Sequence, residues 1–249
     1  MSGHSKWSTI KRKKALTDSR RGSIWTKLIR EITVAAKAGG GDPASNARLR
    51  KAIDDARASN MPNDNIERAT KKGTGELEGA TYEEFTYEGY GPGGTAIMVE
   101  GSTDNPNRTV AEIRHAFSRN NGNLGTSNSV AWMFERKGQI VIPAGKVGED
   151  KAMEDALESG ASDFVADGDL FVVTTEPTAF HAVIDALKAR GYQAESSDIV
   201  MAAKSVVKPE AADADKLLRL IEALEELDDV SKVFTNLDVD AVDLEGAGT

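Results

Sequence analysis

Positive charge is concentrated at the start of this sequence. Residues 2–30 include nine Lys or Arg side chains and a single acidic one, Asp18. Lys and Arg neutralise phosphates and release the counterions held on a polyanion, so such a segment is suited to bind nucleic acid. The candidate phosphate contacts are Lys6, Lys11, Arg12, Lys13, Lys14, Arg20, Arg21, Lys27 and Arg30.

Two aromatic residues accompany these cations. Trp7 lies four residues before the run that starts at Lys11 and belongs to no apolar period. An aromatic ring beside cations can stack on bases, so Trp7 is a candidate nucleic-acid contact. Trp25 falls in a helical pattern and is expected in a helix-bundle core. We call this basic N-terminal segment the basic arm. The alternative is that the arm is a solubilising or disordered tail.

The remainder of the chain has the opposite charge. Residues 1–72 hold 17 Lys or Arg and 7 Asp or Glu, whereas the later residues hold 14 and 33, and the whole chain has a net charge of −9. Such asymmetry indicates a nucleic-acid or anionic-surface partner for the basic end. Overall acidity does not prevent this, because the Debye length at physiological salt is about 8 Å. The acidic part is also a possible surface for protein partners.

Motifs for catalysis or cofactor binding are weak. Gly89, Gly91 and Gly94 fit G-x-G-x-x-G, but a β-run follows instead of the required helix, which predicts a glycine-rich hairpin turn. There is no G-x-S-x-G, no Walker motif and no zinc-ligand spacing. Glu84 and Glu88 are expected to be solvated on one face of a strand. We therefore predict a protein that is not an enzyme, without cofactor or metal.

The composition of the chain limits where in the cell it is expected. The chain has no cysteine, which suits a reducing environment, and no apolar run near the roughly 20 residues that span a membrane. No apolar h-region follows the basic start, which argues against a secretory signal. A mitochondrial transit peptide is the alternative for a basic, acid-poor start, although Lys outnumbers Arg in it. We predict a soluble, cytoplasmic protein with no membrane partner.

Three helices are predicted to position the basic segment. The apolar residues of SRRGSIWTKLIREITVAAKAGGG recur at helical spacing until the glycines end the pattern. Asp42 and Pro43 are read as the N-cap and first residue of a second helix, and Gly73 as the end of a third. Together with the arm, these helices are predicted to form a domain over residues 1–75.

Strands and helices alternate in the rest of the chain. The order strand, helix, hairpin, helix, strand is that of a ferredoxin-like unit and is predicted for residues 135–199. The flanking segments are each too small to bury a helix face alone, so residues 80–134 and 200–240 are predicted to pair in one discontinuous domain. The predicted fold class is α+β, an N-terminal three-helix domain followed by two α+β domains, one ferredoxin-like and inserted into the other.

Several long stretches strongly resemble the YebC/PmpR family, over essentially the entire chain. They are MSGHSKWSTIKRKK, GGGDPASNARLRKAIDDARASNMPNDNIERATKKG, TYEEFTYEGYGPGGTAIMVEGSTDNPNRTVAEIRHAF and NNGNLGTSNSVAWMFERKG. The resemblance implies three domains, namely a helical one, a discontinuous α+β one and an inserted ferredoxin-like one. It implies no short motif that fixes the DNA-binding residues, so the arm assignment depends on the cations themselves and on Trp7.

Members of this family are described as probable transcriptional regulators, some of which bind DNA upstream of target genes. Mitochondrial relatives activate translation, and bacterial relatives have been linked to ribosomes stalled on proline runs. The resemblance therefore implies a DNA-binding transcriptional regulator, with a ribosome-associated translation factor acting on ribosomal RNA as the alternative. A protein-interaction module with a solubilising arm is the second alternative.

Overall fold

A computed structural model describes residues 21–145 and 147–238, with side chains from residue 23 onward. The helices in this range are α1 (Arg21–Gly39), α2 (Ala47–Ala58), α3 (Asn63–Thr74), α4 (Pro106–Arg119), α5 (Glu149–Glu158), α6 (Phe180–Ala189) and α7 (Ala211–Glu225). The strands are β1 (Glu83–Tyr90), β2 (Ala96–Thr103), β3 (Asn123–Leu124), β4 (Phe134–Pro143), β5 (Asp163–Asp167), β6 (Leu170–Thr175), β7 (Ser196–Ala203) and β8 (Val230–Thr235).

The described residues divide into two compact units. The first unit comprises residues 21–129 and 210–233, and the second unit comprises residues 130–145, 147–209 and 234–238. The chain therefore leaves the first unit and later returns to it. This is the α+β fold that the sequence predicts, with one α+β segment inserted into another, while the boundaries of the three predicted domains stay a prediction.

Helices α1, α2 and α3 form a bundle within the first unit. Its core includes Ile32 of α1, Leu49 and Ile53 of α2, and Ile66 of α3. Helices α1 and α3 approach closely at Gly73, where an added Cβ would lie 2.4 Å from the Thr33 carbonyl oxygen. Gly73 therefore lies inside α3 and allows the two helices to touch, so the prediction that it ends the helix is wrong.

The second helix also begins later than predicted. Asp42 accepts a hydrogen bond from the Ala44 amide at 2.9 Å, which holds residues 42–45 in a turn. Asn46 is the N-cap of α2, and its side chain accepts from the Leu49 amide at 3.0 Å. The same side chain donates to the Ala35 carbonyl at 2.8 Å. A buried Asn that bonds both helices displaces the Asp42–Pro43 start predicted from the sequence.

The sheet of the first unit has the strand order β3-β1-β2-β8. This pairing of the first hairpin with the last strand confirms the discontinuous sheet. A Cβ at Gly89 would lie 2.7 Å from Phe117 of α4, and one at Gly91 would lie 2.7 Å from Leu217 of α7. The glycines of GYGPGG thus make room for helix side chains around a hairpin turn, as predicted.

The second unit contains an antiparallel sheet with the order β5-β6-β4-β7. The chain order is strand, helix, two strands, helix, strand, so this is the ferredoxin-like arrangement predicted from the sequence. Its core joins Ile140 and Ile142 of β4, Phe171 of β6 and Phe180 of α6.

Candidate nucleic-acid interface

Most of the predicted interface falls on residues that the structure does not describe. Lys6, Trp7, Lys11, Arg12, Lys13, Lys14 and Arg20 lie outside the described residues, and Arg21 is the first residue of α1 without a described side chain. Their contacts with nucleic acid therefore stay predictions. Lys27 and Arg30 are the two predicted residues whose side chains are described.

Lys27 and Arg30 lie on the face of α1 that packs against the C-terminal return of the chain. The Lys27 Nζ donates to the Glu225 carbonyl at the end of α7, 2.5 Å away. One turn earlier, the Ser23 hydroxyl donates to Asp228 at 3.2 Å. Positions 23, 27 and 30 share one helix face, so this face of α1 is held against the corner between α7 and β8.

Arg30 pairs with a buried carboxylate. Its Nη1 lies 2.5 Å from the Asp229 Oδ1, with exposed side-chain fractions of 13% and 3%. The guanidinium also lies over the Tyr82 ring, 5.5 Å from its centroid. This internal partner does not favour the predicted phosphate contact of Arg30, which stays a prediction.

Three further groups converge on Asp229. Its Oδ2 accepts from Arg108 at 2.7 Å, from Thr109 at 2.5 Å and from Thr103 at 3.2 Å. Burial alone would raise the pKa of Asp229, but the hydrogen bonds from Arg108 and Thr109 and the charge of Arg30 outweigh it and hold the pKa below its ordinary value. The carboxylate therefore remains ionised and joins α1, α4 and the end of β2.

A second ionic bridge connects the bundle to β1. Arg48 of α2 contacts Glu31 of α1 and Glu84 of β1, each at 2.7 Å. The hydrogen bond that Arg48 donates to Glu31, and then the one it donates to Glu84, raises the pKa of Arg48 despite its partial burial. The expectation that Glu84 and Glu88 are both solvated is wrong, since Glu88 is buried and accepts from the Asn128 amide at 2.7 Å.

Other cations of the bundle have no ion pair among the described residues. Four of them are exposed at the end of α1 and along α3, namely Lys37, Arg68, Lys71 and Lys72, while the exposed Arg50 of α2 donates to the Pro43 carbonyl at 3.2 Å. By contrast, Lys51 pairs with Asp55 at 2.7 Å and Arg57 with Asp54 at 3.8 Å. We call Lys37, Arg68, Lys71 and Lys72 the free bundle cations. They belong to the basic excess of residues 1–72 but were not among the predicted contacts, although the adjacent lysines before Gly73 were a visible signal.

A cavity of about 630 Å³ lies beside two of the free bundle cations. Lys37 and Lys72 line it together with Val34, Leu77 and Tyr82. No group of three or more His, Asp or Glu residues in the described ranges could hold a metal ion. Glu78 also lines this cavity, so the described part of the first unit offers exposed cations and a cavity with charges of both signs.

Together these features define a class: an α+β protein with a basic helical N-terminal part and an inserted ferredoxin-like unit. Residues 5–76 match the model for the TACO1/YebC protein N-terminal domain, and residues 82–237 match that for the TACO1/YebC second and third domain. The chain therefore belongs to the TACO1/YebC family, and the resemblance to YebC/PmpR proteins is confirmed.

Individual relatives agree with this assignment. A probable transcriptional regulatory protein from Gemmatimonas aurantiaca is 58% identical over 96% of this chain and 97% of its own length. One from Geobacter sp. is 52% identical over 98% of this chain and 99% of its own. A conserved hypothetical protein from Aquifex aeolicus has a crystal structure that matches with a TM-score of 0.82 and 47% identity, over 88% of this chain and 91% of that one.

These relatives support the prediction that the protein is a regulator. Their names speak of transcription and do not mention translation, RNA or the ribosome. Among the described residues, no helix has both the length and the apolar character to cross a membrane.

Proposed function

We propose that this protein is a non-enzymatic, cytoplasmic transcriptional regulator that binds duplex DNA through its basic arm and helical bundle. The arm residues Lys6, Lys11–Lys14, Arg20 and Arg21 contact phosphates, and Trp7 adds a stacking contact. Because phosphate contacts position a protein without reading sequence, this surface accounts for affinity rather than for the choice of target genes.

The observation that carries the proposal is the segregation of charge. Residues 1–72 contain 17 of the 31 basic side chains and only 7 of the 40 acidic ones. In the described bundle, acidic partners neutralise Arg48, Lys51 and Arg57, while the free bundle cations remain exposed. These side chains extend the cationic surface beyond the arm.

We assign different roles to the predicted contacts whose side chains are described. Arg30 is largely buried against Asp229, so we assign it to positioning α1 rather than to phosphate. The Lys27 Nζ is held at the Glu225 carbonyl and stays near the edge of the proposed surface. The free bundle cations take their place in the proposed interface.

The salt dependence of DNA binding tests the proposal. The logarithm of affinity for a short duplex should fall with the logarithm of salt concentration by about 0.9 per contacted phosphate. Replacing Lys11, Arg12, Lys13 and Lys14 with Gln in the full chain should flatten this slope. A control that replaces the exposed Arg114, Arg119, Lys188 and Arg219 with Gln removes the same charge and should leave the slope unchanged. An unchanged slope in the arm variant would exclude the arm as the docking surface.

The translation alternative stays a prediction. Sedimentation of cell extract through a sucrose gradient after DNase treatment separates it from the proposal. Co-migration with ribosomes that survives this treatment would favour a translation factor, and a free protein at the top of the gradient would favour the transcriptional one.

A further inference from the structure

The second unit exposes a tryptophan. Trp132 lies in a short 3-10 turn, Ala131–Met133, directly before β4, and 64% of its surface is exposed. Among the exposed large apolar side chains of the described residues it is the most exposed and the only aromatic one. Tryptophan is highly buried on average in folded proteins, so an indole this exposed presents an unusual aromatic surface to a ligand.

The local sequence explains why this side chain faces outward. Val130 and Phe134, on either side of the turn, are buried at 0% and 4% exposure. They take the core positions at the start of β4, and the turn between them leaves Trp132 at the surface. The outward position of the indole thus follows from the burial of its two neighbours.

An exposed lysine contacts this turn. The Lys204 Nζ donates to the Trp132 carbonyl at 3.0 Å, and the Lys204 amide donates to the Met133 carbonyl at 2.9 Å. Phe134 pairs with Ala203 in the sheet, so Lys204 follows β7 at the same end of the sheet at which Trp132 precedes β4. Lys204 is exposed and has no carboxylate within ion-pair distance among the described residues.

Two more exposed cations lie nearby along the chain, namely Arg136 in β4 and Lys208 after β7, neither with an ion pair in the described ranges. The nearest acidic residue in sequence, Glu135, is paired with Lys137 at 3.1 Å. A partner at this end of the sheet thus meets an aromatic face beside the positive charge of Lys204.

We propose that Trp132 and Lys204 form a binding site for single-stranded nucleic acid, with a base stacked on the indole and a phosphate at the lysine. Every base has a π-face, so such a site accepts single strands with little regard to sequence. A base inside a duplex is already stacked and paired and cannot reach the indole without being flipped out. The site adds a contact with single strands to the duplex binding of the proposed function.

Tryptophan fluorescence of the full-length protein provides the test. The chain has three tryptophans, so the quenching assigned to Trp132 is the difference between the unmodified protein and W132F. Oligo(dT) and oligo(rU) should quench this fraction, and the duplex of the same length should not. Trp132→Ala should weaken oligo(dT) binding by about 5-fold or more, while W132F retains part of the affinity because the phenyl ring still stacks.

Controls separate this site from the arm. Lys204→Gln should lower the salt slope for oligo(dT), while K188Q, at an exposed lysine of the same unit, should leave it unchanged. The arm variant should lose duplex affinity yet retain the quenching of Trp132, so the two proposals can fail separately. Equal oligo(dT) affinity of W132A and the unmodified protein, or quenching by no oligonucleotide, would overturn the inference and leave the indole to a protein partner.

Discussion

Arg30 of α1 and Asp229, just before β8, form an ion pair of 2.5 Å whose carboxylate is 3% exposed. The pair connects the helix that follows the basic arm to the segment in which the chain returns to the first unit. Thr103, Arg108 and Thr109 complete the partners of the carboxylate. The arm is thereby attached to a helix whose position is fixed by buried charge.

Removal of Arg30 should destabilise the protein strongly. Arg30→Met leaves Asp229 buried without this partner, and breaking a buried pair in this way costs about 3–5 kcal/mol. Urea unfolding followed by circular dichroism measures the change. The control is Arg114→Met, which removes an exposed arginine of α4 and should change stability little. Equal effects of the two substitutions would show that the buried pair contributes nothing.

Acid should destabilise the first unit through Asp229. Its pKa in the folded state is held below the ordinary value, so its contribution to stability is present above about pH 4 and is lost as the pH falls through the lowered pKa. Asp229→Asn should therefore flatten the fall in unfolding free energy below pH 4. The exposed Glu112→Gln serves as the control and should keep the slope of the unmodified protein. A D229N variant with that same slope would contradict the assignment.

Gly73 should not tolerate a methyl group. In an ordinary exposed helix, Gly→Ala stabilises by about 1 kcal/mol. At Gly73 the added Cβ would lie 2.4 Å from the Thr33 carbonyl oxygen and 2.6 Å from the Ala36 Cβ, so we expect a loss of about 1–3 kcal/mol instead. Gly148→Ala, at the N-cap of α5, provides a control without crowding, because nothing lies within 4 Å of its added Cβ, and it should cost less than G73A. A stabilised G73A, measured by thermal unfolding, would mean that α1 and α3 can separate without cost.

The free bundle cations should contribute to DNA affinity. Replacing Arg68, Lys71 and Lys72 with Gln should lower duplex affinity and reduce the salt slope by about 0.9 for each phosphate that the variant no longer neutralises. Fluorescence anisotropy across a range of salt concentrations measures both quantities. Substituting the paired Lys51 and Arg57 is the control, and we expect a smaller change from it because acidic neighbours already offset their charge. Equal effects would argue for general attraction without a defined surface.

Much of the fold could be predicted from the sequence because the apolar patterns are strong. Leu49 and Ile53 fall at helical spacing and are buried in the bundle as expected. The helix boundaries were predicted less well. Asn46 caps α2 by accepting from the Leu49 amide, and no local pattern reveals its second bond, to the Ala35 carbonyl of α1. Gly73 resembles a helix stop in the sequence. In the structure it allows the close approach of α3 to Thr33 of α1, which is distant in the sequence.

The candidate site was harder to predict than the fold. Arg30 looks like any other cation of the basic segment, and only folding brings it to Asp229. Charge counts identify the basic end, but they cannot separate cations with partners, such as Arg48, from exposed ones, such as Lys72. The exposure of Trp132 depends on which neighbours take the core positions before β4.

The return of the chain to the first unit has a consequence for biosynthesis. Helix α1 is made well before residues 210–233, which hold its charged face. Until they emerge, Arg30 has no carboxylate from this corner, and the sheet lacks β8. A nascent chain can therefore fold its bundle and its ferredoxin-like insertion first, while the first unit closes only after residues 210–233 have emerged.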